Sequence, residues 1–431
     1  MRIALSSATG YGAWFAHYLR SSGHTVDYYL SKMKYQDIMG GIARPILHNI
    51  DQRHKNESSK GYPNYAKYDL SVFDTTGRKK MADFSRRHCP TFGDGTINCI
   101  LEDDRVKGIE AMEAAGISVP PYERFNDIGA AKAYVKKHGK RYVFKPDSSD
   151  AEGQDPASTY VSKDAEDLLE YFDKLSALSK GVKFILQEFI GGTECSVEGW
   201  FNGSEFYCLN GTLEDKKFMS GNIGPNTGCA GNLVFTLSSE SKIFQKGLGK
   251  ARDILRDGQF VGNIDLNCII TEGGELYGLE WTPRFGYDAT ATFARIYGGD
   301  FGELMYRCAV GKVPEESWAN QFGVSARISI PPYPTEMRTI NNIGKPIKGI
   351  EPEDLEHTYL YDAKLEKGKL VCSGVTGFIA CPIVCGPDPT KIFDTLKTRV
   401  EAIQIPDMQY RDDLKKSILK RYYELEQKGW L

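Results

Sequence analysis

The 431-residue chain has no histidine between positions 139 and 356; all seven of its histidines lie outside that stretch. Histidine-based triads and histidine-ligated zinc are therefore excluded from its centre. Its ten cysteines include no CxxC pair. The closest two, Cys381 and Cys385, fall in an apolar strand-like run, so buried free thiols in a reducing cytosol fit better than a metal or disulfide framework. No apolar run approaches the ~20 residues that cross a bilayer. The opening MRIALSSATGYGAWF lacks the apolar stretch and cleavage site of a signal peptide. A net charge of −3 gives no reason to expect a nucleic-acid groove or an anionic membrane partner. The first turn, Thr9-Gly10-Tyr11-Gly12, is not GxGxxG, which favours a tight strand-to-helix turn over a dinucleotide site.

What remains is a globular composition, 41% hydrophobic and 26% charged, in a chain too long for one ordinary core. Residues 1–103 read as doubly wound α/β, with strands at Met1–Ser6, Thr25–Leu30 and Leu70–Phe73. A helix starts at Glu102 and stops before Val119-Pro120-Pro121. Strands at Tyr142–Lys145 and Lys183–Phe189 flank a polar loop and a helix over Lys163–Leu178. Strands at Glu194–Asn202 and Glu205–Leu209 follow, then a loop at Gly221–Gly228 and helices over Lys242–Arg256 and Ala291–Ala309. After Gly311 come strands at Ser325–Ile330, His357–Asp362, Leu370–Val375 and Gly377–Val384, and helices over Pro389–Ala402 and Arg411–Lys428.

The most informative segment is VGNIDLNCIITEGGELYGLEWTPRFGY, Val261–Tyr287. Two strand-like runs flank Thr271-Glu272-Gly273-Gly274, a β-hairpin pattern. With Gly273-Gly274 as the loop, Asn267 faces Glu280 and Asp265 faces Thr282, so both acids project from one face as diagonal neighbours. Two carboxylates held that close call for a cation, and Mg²⁺ needs only one or two of them plus substrate phosphates. An exposed, solvated hairpin face satisfies the same segment taken alone.

The other candidates suit phosphoryl transfer, where positioning and charge neutralisation supply most of the rate. Lys145 ends an apolar strand. Gly221–Gly228 is either an anion-binding nest or a plain surface turn. Arg105 opens a helix and either meets a phosphate or pairs with Asp104.

In order and spacing these segments resemble the ATP-grasp enzymes, and among them the phosphoribosylamine–glycine ligase family. Gly224-Pro225-Asn226-Thr227-Gly228 matches its GPNTG; Gln187–Ser196 is similar to EEFLxGxExS, and Glu280–Gly286 to EFNCRFG. Gly344-Lys345-Pro346-Ile347 through Tyr410-Arg411-Asp412 is similar to its last domain. The resemblance implies a multi-domain α/β chain: an N-terminal pre-ATP-grasp domain (1–103), an ATP-grasp domain (104–320) with a lid at about 119–186, and a C-terminal mixed α/β domain (321–431). It implies ATP with Mg²⁺ or Mn²⁺, small carboxylate and amine substrates, and a monomer. Gln187 with the backbone of Phe189 and Ile190 would meet adenine, and Glu194 the ribose. Arg105 and Lys145 would hold ATP phosphates, Lys217, also ATP-binding, matches a family lysine next to the acceptor-side loop, and Asp265, Glu280 and Asn267 would carry the metal. Arg284 and Asn226, with Gly224, Thr227, Gly228 and Gly286, would hold the carboxylate and its acyl phosphate; Arg284, Lys145 and Asn226 are the expected catalytic groups.

Three departures stand out. The family's lid KADGLAAGKGV is replaced by a longer, more acidic segment from Lys145 to Val161 without a second lysine. Thr282 occupies the place of the asparagine in EFN, and Gly286-Tyr287-Asp288-Ala289 replaces GDPE. The implied activity is amide formation through an acyl phosphate, joining a glycine-type carboxylate to phosphoribosylamine. A different nucleotide or sugar amine, or an ATP-binding protein without catalysis, are the alternatives; a dinucleotide-dependent oxidoreductase is the outsider.

Overall fold

The computed structural model describes residues 1–47, 61–147, 159–176, 183–335 and 337–431. The first sheet is parallel, in the order β3-β2-β1-β4-β5, and comprises β1 (Arg2–Ser7), β2 (Thr25–Leu30), β3 (Ile46–Leu47), β4 (Leu70–Phe73) and β5 (Thr91–Phe92). Five successive residues of β1 are buried, as expected of a parallel strand covered on both faces. Helix α1 (Gly12–Ser21) packs Trp14, Phe15 and Leu19 inward. Trp14 Nε1 donates to the carbonyl of Thr358, 344 residues away, tying α1 to a segment near the end of the chain. Helices α2 (Lys79–Arg86) and α3 (Thr96–Glu102) complete this region, and α4 (Arg105–Ala114) leads out of it. The helix expected from Glu102 is α4 and starts three residues later, because Asp104 caps it by accepting from the Lys107 amide.

A four-stranded antiparallel sheet in the order β6-β9-β7-β8 forms the next unit: β6 (Tyr122–Phe125), β7 (Tyr142–Pro146), β8 (Tyr160–Val161) and β9 (Phe184–Glu188). With α5 (Ile128–His138) and α6 (Ala165–Ser176) it encloses its own core around Phe144, Phe172 and Phe184. Most of the atypical segment, 148–158, lies outside the described residues.

The central sheet is antiparallel and nine-stranded. From one edge run β14 (Leu276–Thr282), β13 (Gly262–Ile270), β10 (Thr193–Phe201), β11 (Phe206–Met219), β12 (Ile223–Thr236), β15 (Phe322–Ala326), β20 (Phe378–Gly386) and β16 (Ile328–Ser329), with β17 (Thr358–Leu360) also on β20. The C-terminal strands therefore extend the same sheet, and one continuous core reaches from Ile3 to Trp430. A small ribbon, β18 (Ala363–Glu366) with β19 (Lys369–Cys372), stands apart.

Two expected helices are broken. Lys242–Arg256 divides at Gly247 into α7 (Lys242–Lys246) and α8 (Arg252–Asp257), with a 3₁₀ turn between them. Ala291–Ala309 divides at Gly298-Gly299 into α9 (Asp288–Ile296) and α10 (Phe301–Ala309), the second capped by Asp300. Helices α11 (Pro389–Ala402) and α12 (Leu414–Gln427) close the chain. Gly221–Gly228 is not a loop throughout: β12 starts at Ile223, so GPNTG lies on an exposed strand held by β11, beyond a turn at Gly221-Asn222.

Candidate active site

Asp265 pairs with Thr282 and Asn267 with Glu280, the register expected from the hairpin. The route to it differs. The turn is Thr271–Glu275, so Ile270 pairs with Leu276, and Leu279 then bulges out between Gly278 and Glu280. Without that bulge Glu280 would face the other side of the sheet. Neighbouring strands carry the polar face onward, Ser196 opposite Asn267 and Glu198 opposite Asp265 on β10, then Thr212 and Asn210 on β11.

Asp265 Oδ1 and Asn267 Oδ1 are buried and have no hydrogen-bond partner among the described residues. Burial, with the Glu198 and Glu214 carboxyls nearby, pushes Asp265 well above the usual carboxylate range. Glu280 behaves oppositely. Burial alone would raise it, but Lys216, Lys145, Arg105 and Arg284 outweigh that and hold it low. Among the described residues no three His, Cys, Asp or Glu side chains group as metal ligands. Two carboxylates and an amide oxygen, two of these atoms lacking partners, do fit a hard divalent cation that keeps water and phosphate ligands.

The cations come from four elements. Lys145, at the end of β7 and only 7% exposed, donates from Nζ to the bulged carbonyl of Leu279 at 3.3 Å. Burial pushes its ammonium down to about 8, with Glu280 opposing and Arg105 and Lys216 assisting. Arg105 lies 3.7 Å from Glu280 and donates to the Pro146 carbonyl, while Asp104 pairs instead with Lys107. Arg284 donates to Glu102 Oε1 at 2.9 Å and lies over the Tyr287 ring, itself stacked on Tyr11 at 3.8 Å. The fourth is Lys216 rather than the expected Lys217: its Nζ is 2.6 Å from Glu194 Oε1. Lys217 sits opposite Asn226 on β12 and accepts at its carbonyl from Arg411. Glu102, Asp103, Arg105, Glu280, Trp281 and Arg284 line a cleft of about 310 Å³ beside β14.

The remaining candidates are further from this row. Gln187 is buried in β9 with its amide 3.5 Å from the Pro120 carbonyl. Phe189, followed by Ile190, donates its N–H to Arg141, whose guanidinium covers the Phe189 ring at 3.5 Å. Thr227 Oγ1 donates to the Lys216 carbonyl, which ties the GPNTG strand to the site; Gly224, Asn226 and Gly228 are exposed. The Gly286 N–H donates to Thr290, and Asp288 behind it forms a buried ion pair with Arg327 at 2.7 Å. Sequence reasoning missed Glu102, Glu198 and Lys216. Only Lys216 left a usable signal, since alternation from Glu214 selects even-numbered positions on β11.

Residues 108–289 match the model of the phosphoribosylglycinamide synthetase ATP-grasp (A) domain. The architecture is similar to phosphoribosylamine–glycine ligase from Thermotoga maritima, with a TM-score of 0.74 at 20% identity, covering 96% of this chain and 100% of that one. A biotin carboxylase domain from Hydrogenobacter thermophilus 2-oxoglutarate carboxylase, solved with MgADP and bicarbonate, has a TM-score of 0.62 at 14% identity and covers 99% of this chain and 98% of that one. The segment 108–289 is thus an ATP-grasp domain of the phosphoribosylglycinamide synthetase type, and the chain has the ATP-grasp fold. In sequence the chain is distantly similar to phosphoribosylamine–glycine ligases. It is 26% identical over 249 residues to that of Streptococcus pneumoniae, spanning 56% of this chain and 58% of the other. To that of Leptospira interrogans it is 24% identical over 333 residues, 75% of this chain and 77% of the other.

Proposed function

We propose that the chain is an ATP-dependent carboxylate–amine ligase working through an acyl phosphate. The observation that carries this reading is the row Asp265, Asn267 and Glu280 on one sheet face, met by Lys145, Lys216, Arg105 and Arg284. A carboxylate oxygen of the first substrate attacks the γ-phosphorus of ATP, the bond to the bridging oxygen breaks, and ADP leaves. The amine nitrogen then attacks the acyl carbon, phosphate departs, and the nitrogen loses a proton. Mg²⁺ or Mn²⁺ on Asp265, Glu280 and Asn267 supplies charge neutralisation at the phosphates.

Lys145 and Arg105 hold phosphate oxygens, and Lys216 takes the part expected of Lys217. Gln187, Phe189 and Ile190 face adenine, and Glu194 exchanges Lys216 for the ribose hydroxyls. Arg284 exchanges Glu102 for the substrate carboxylate beside Gly224, Asn226, Thr227, Gly228 and Gly286. Residues 119–186 close as a lid that keeps water from the acyl phosphate. The default pair is glycine and phosphoribosylamine, as in purine biosynthesis, in a cytoplasmic monomer; another nucleotide or sugar amine is compatible with the altered 286–289 segment.

The test is ADP release by the folded protein over pairs of small carboxylates and amines. Amine-dependent turnover with one pair is expected, and its absence with every pair would sink the proposal. Thr282, which stands opposite Asp265 where the relatives' motif has asparagine, favours a second reading, an ATP-binding protein without catalysis. In that case MgATP raises the melting temperature and no ADP forms.

A further inference from the structure

Strand β11 is interrupted beside the site. Asp215 pairs with Gly231 and Lys217 with Asn226, so four residues of β12, positions 227 to 230, stand opposite Lys216 alone. Three carbonyls at and beside this interruption accept from side chains. Arg421 Nη1 donates to the Glu214 carbonyl at 2.9 Å, Thr227 Oγ1 to that of Lys216 at 2.9 Å, and Arg411 Nη1 to that of Lys217 at 3.1 Å. Asp215 anchors both arginines, at 2.6 Å from Arg421 and 3.2 Å from Arg411, and also accepts from Ser417. Arg411 is 3% exposed and also pairs with Asp413, which accepts from the Gly221 N–H at the tip of the β11–β12 arm. Because successive side chains alternate, Asp215 faces this C-terminal cluster while Lys216 faces Glu194.

We infer that Arg411 and Arg421 are positioning residues: they replace the missing ladder at Lys216 and fix the strand so that its ammonium reaches Glu194 and Glu280. This rests on the ligase reading for what Lys216 does there, but the placement of Lys216 can be read without any substrate. The experiment compares the full chain with Arg411→Lys, Arg421→Lys and Lys216→Ala variants and the two Arg→Lys/Lys216→Ala doubles. The first readout is acetylation of Lys216 by acetic anhydride, followed by peptide mass spectrometry and normalised to Lys107, whose side chain is 60% exposed. The second is MgATP affinity by calorimetry.

Lys216 should acetylate several-fold faster in folded Arg411→Lys, and in Arg421→Lys if the first variant does not fold. MgATP should bind about tenfold more weakly, as when a supporting contact behind a ligand is lost. Each double variant should be no worse than Lys216→Ala alone. Unchanged Lys216 labelling in a folded variant overturns the proposal, as do additive losses in the doubles. A wild-type chain that binds no MgATP overturns the ligase reading, and the labelling ratio then decides the positioning role by itself.

Discussion

The polar face of the central sheet has two halves that differ in their cations. In the closed half Glu198 and Glu214 are both pushed up to about 7, by burial first of all, and Asp265 is likewise pushed well above the usual carboxylate range. Glu198 has the Asn263 amide at 3.0 Å, and the cations that temper Glu214 are Lys216 and Arg327. In the open half Glu280 carries full charge among four cations, and Lys216 is raised by Glu194, Glu280 and Glu214 despite its burial. Carboxylates on one face thus divide into a set raised by burial and one held low by the cations beside it. Asp265 lies at the boundary, raised by burial and by the Glu198 and Glu214 carboxyls and opposed by Lys216.

Removing the closed half's ion pair tests this contrast most severely. Arg327→Met leaves Asp288 buried and unpaired, which should cost about 3–5 kcal/mol of stability in urea or thermal unfolding. An unchanged midpoint would mean that this half tolerates acids without compensation. In the open half, Glu280→Gln keeps the shape and removes the charge. ADP release should fall about 100-fold, with the metal dependence of nucleotide binding weakened, since an electrostatic contact to the transferring group is lost.

Lys145 supplies a pH test. Its ammonium in the free protein titrates at about 8. Nucleotide phosphates favour the charged form, so binding takes up a proton once the pH exceeds that value. MgATP affinity should be level below pH 8 and fall by up to about tenfold per unit above it. Lys145→Arg should remove the slope; a slope that persists assigns the titration to another group. The smallest effect is expected at the boundary itself. Thr282→Asn adds an amide oxygen opposite Asp265 and should tighten Mg²⁺ binding a few-fold, measured by the metal concentration that half-saturates nucleotide binding.

The hairpin was legible as two strand-like runs across a glycine turn, and the expected register held because the bulge at Leu279 offsets the one-residue difference in the turn. Lys145 was legible as the polar end of an apolar strand. The arm was not: glycine and proline in GPNTG suggest a loop, and β11 and an arginine cluster nearly two hundred residues away hold it as a strand. Glu102 was hidden for a related reason, since its partner Arg284 lies 182 positions along the chain. The helix breaks at Gly247 and at Gly298-Gly299 were visible as glycines, but periodicity alone did not rank them above the apolar pattern running through them.

The unpaired Leu279 acts as a parity switch for the edge of the sheet. On its turn side Gly278 looks toward Met112 and Ile117; on the far side Glu280 looks into the cleft. Drawing Leu279 into a regular ladder would leave the composition and the turn intact yet send the acid among apolar side chains; deleting it would keep Glu280 opposite Asn267 but remove the carbonyl that receives Lys145. A face assigned by counting from the turn is therefore right only when the bulge is counted as well. In any relative of this chain, turn length and bulge should be counted together before its acids are assigned to a face.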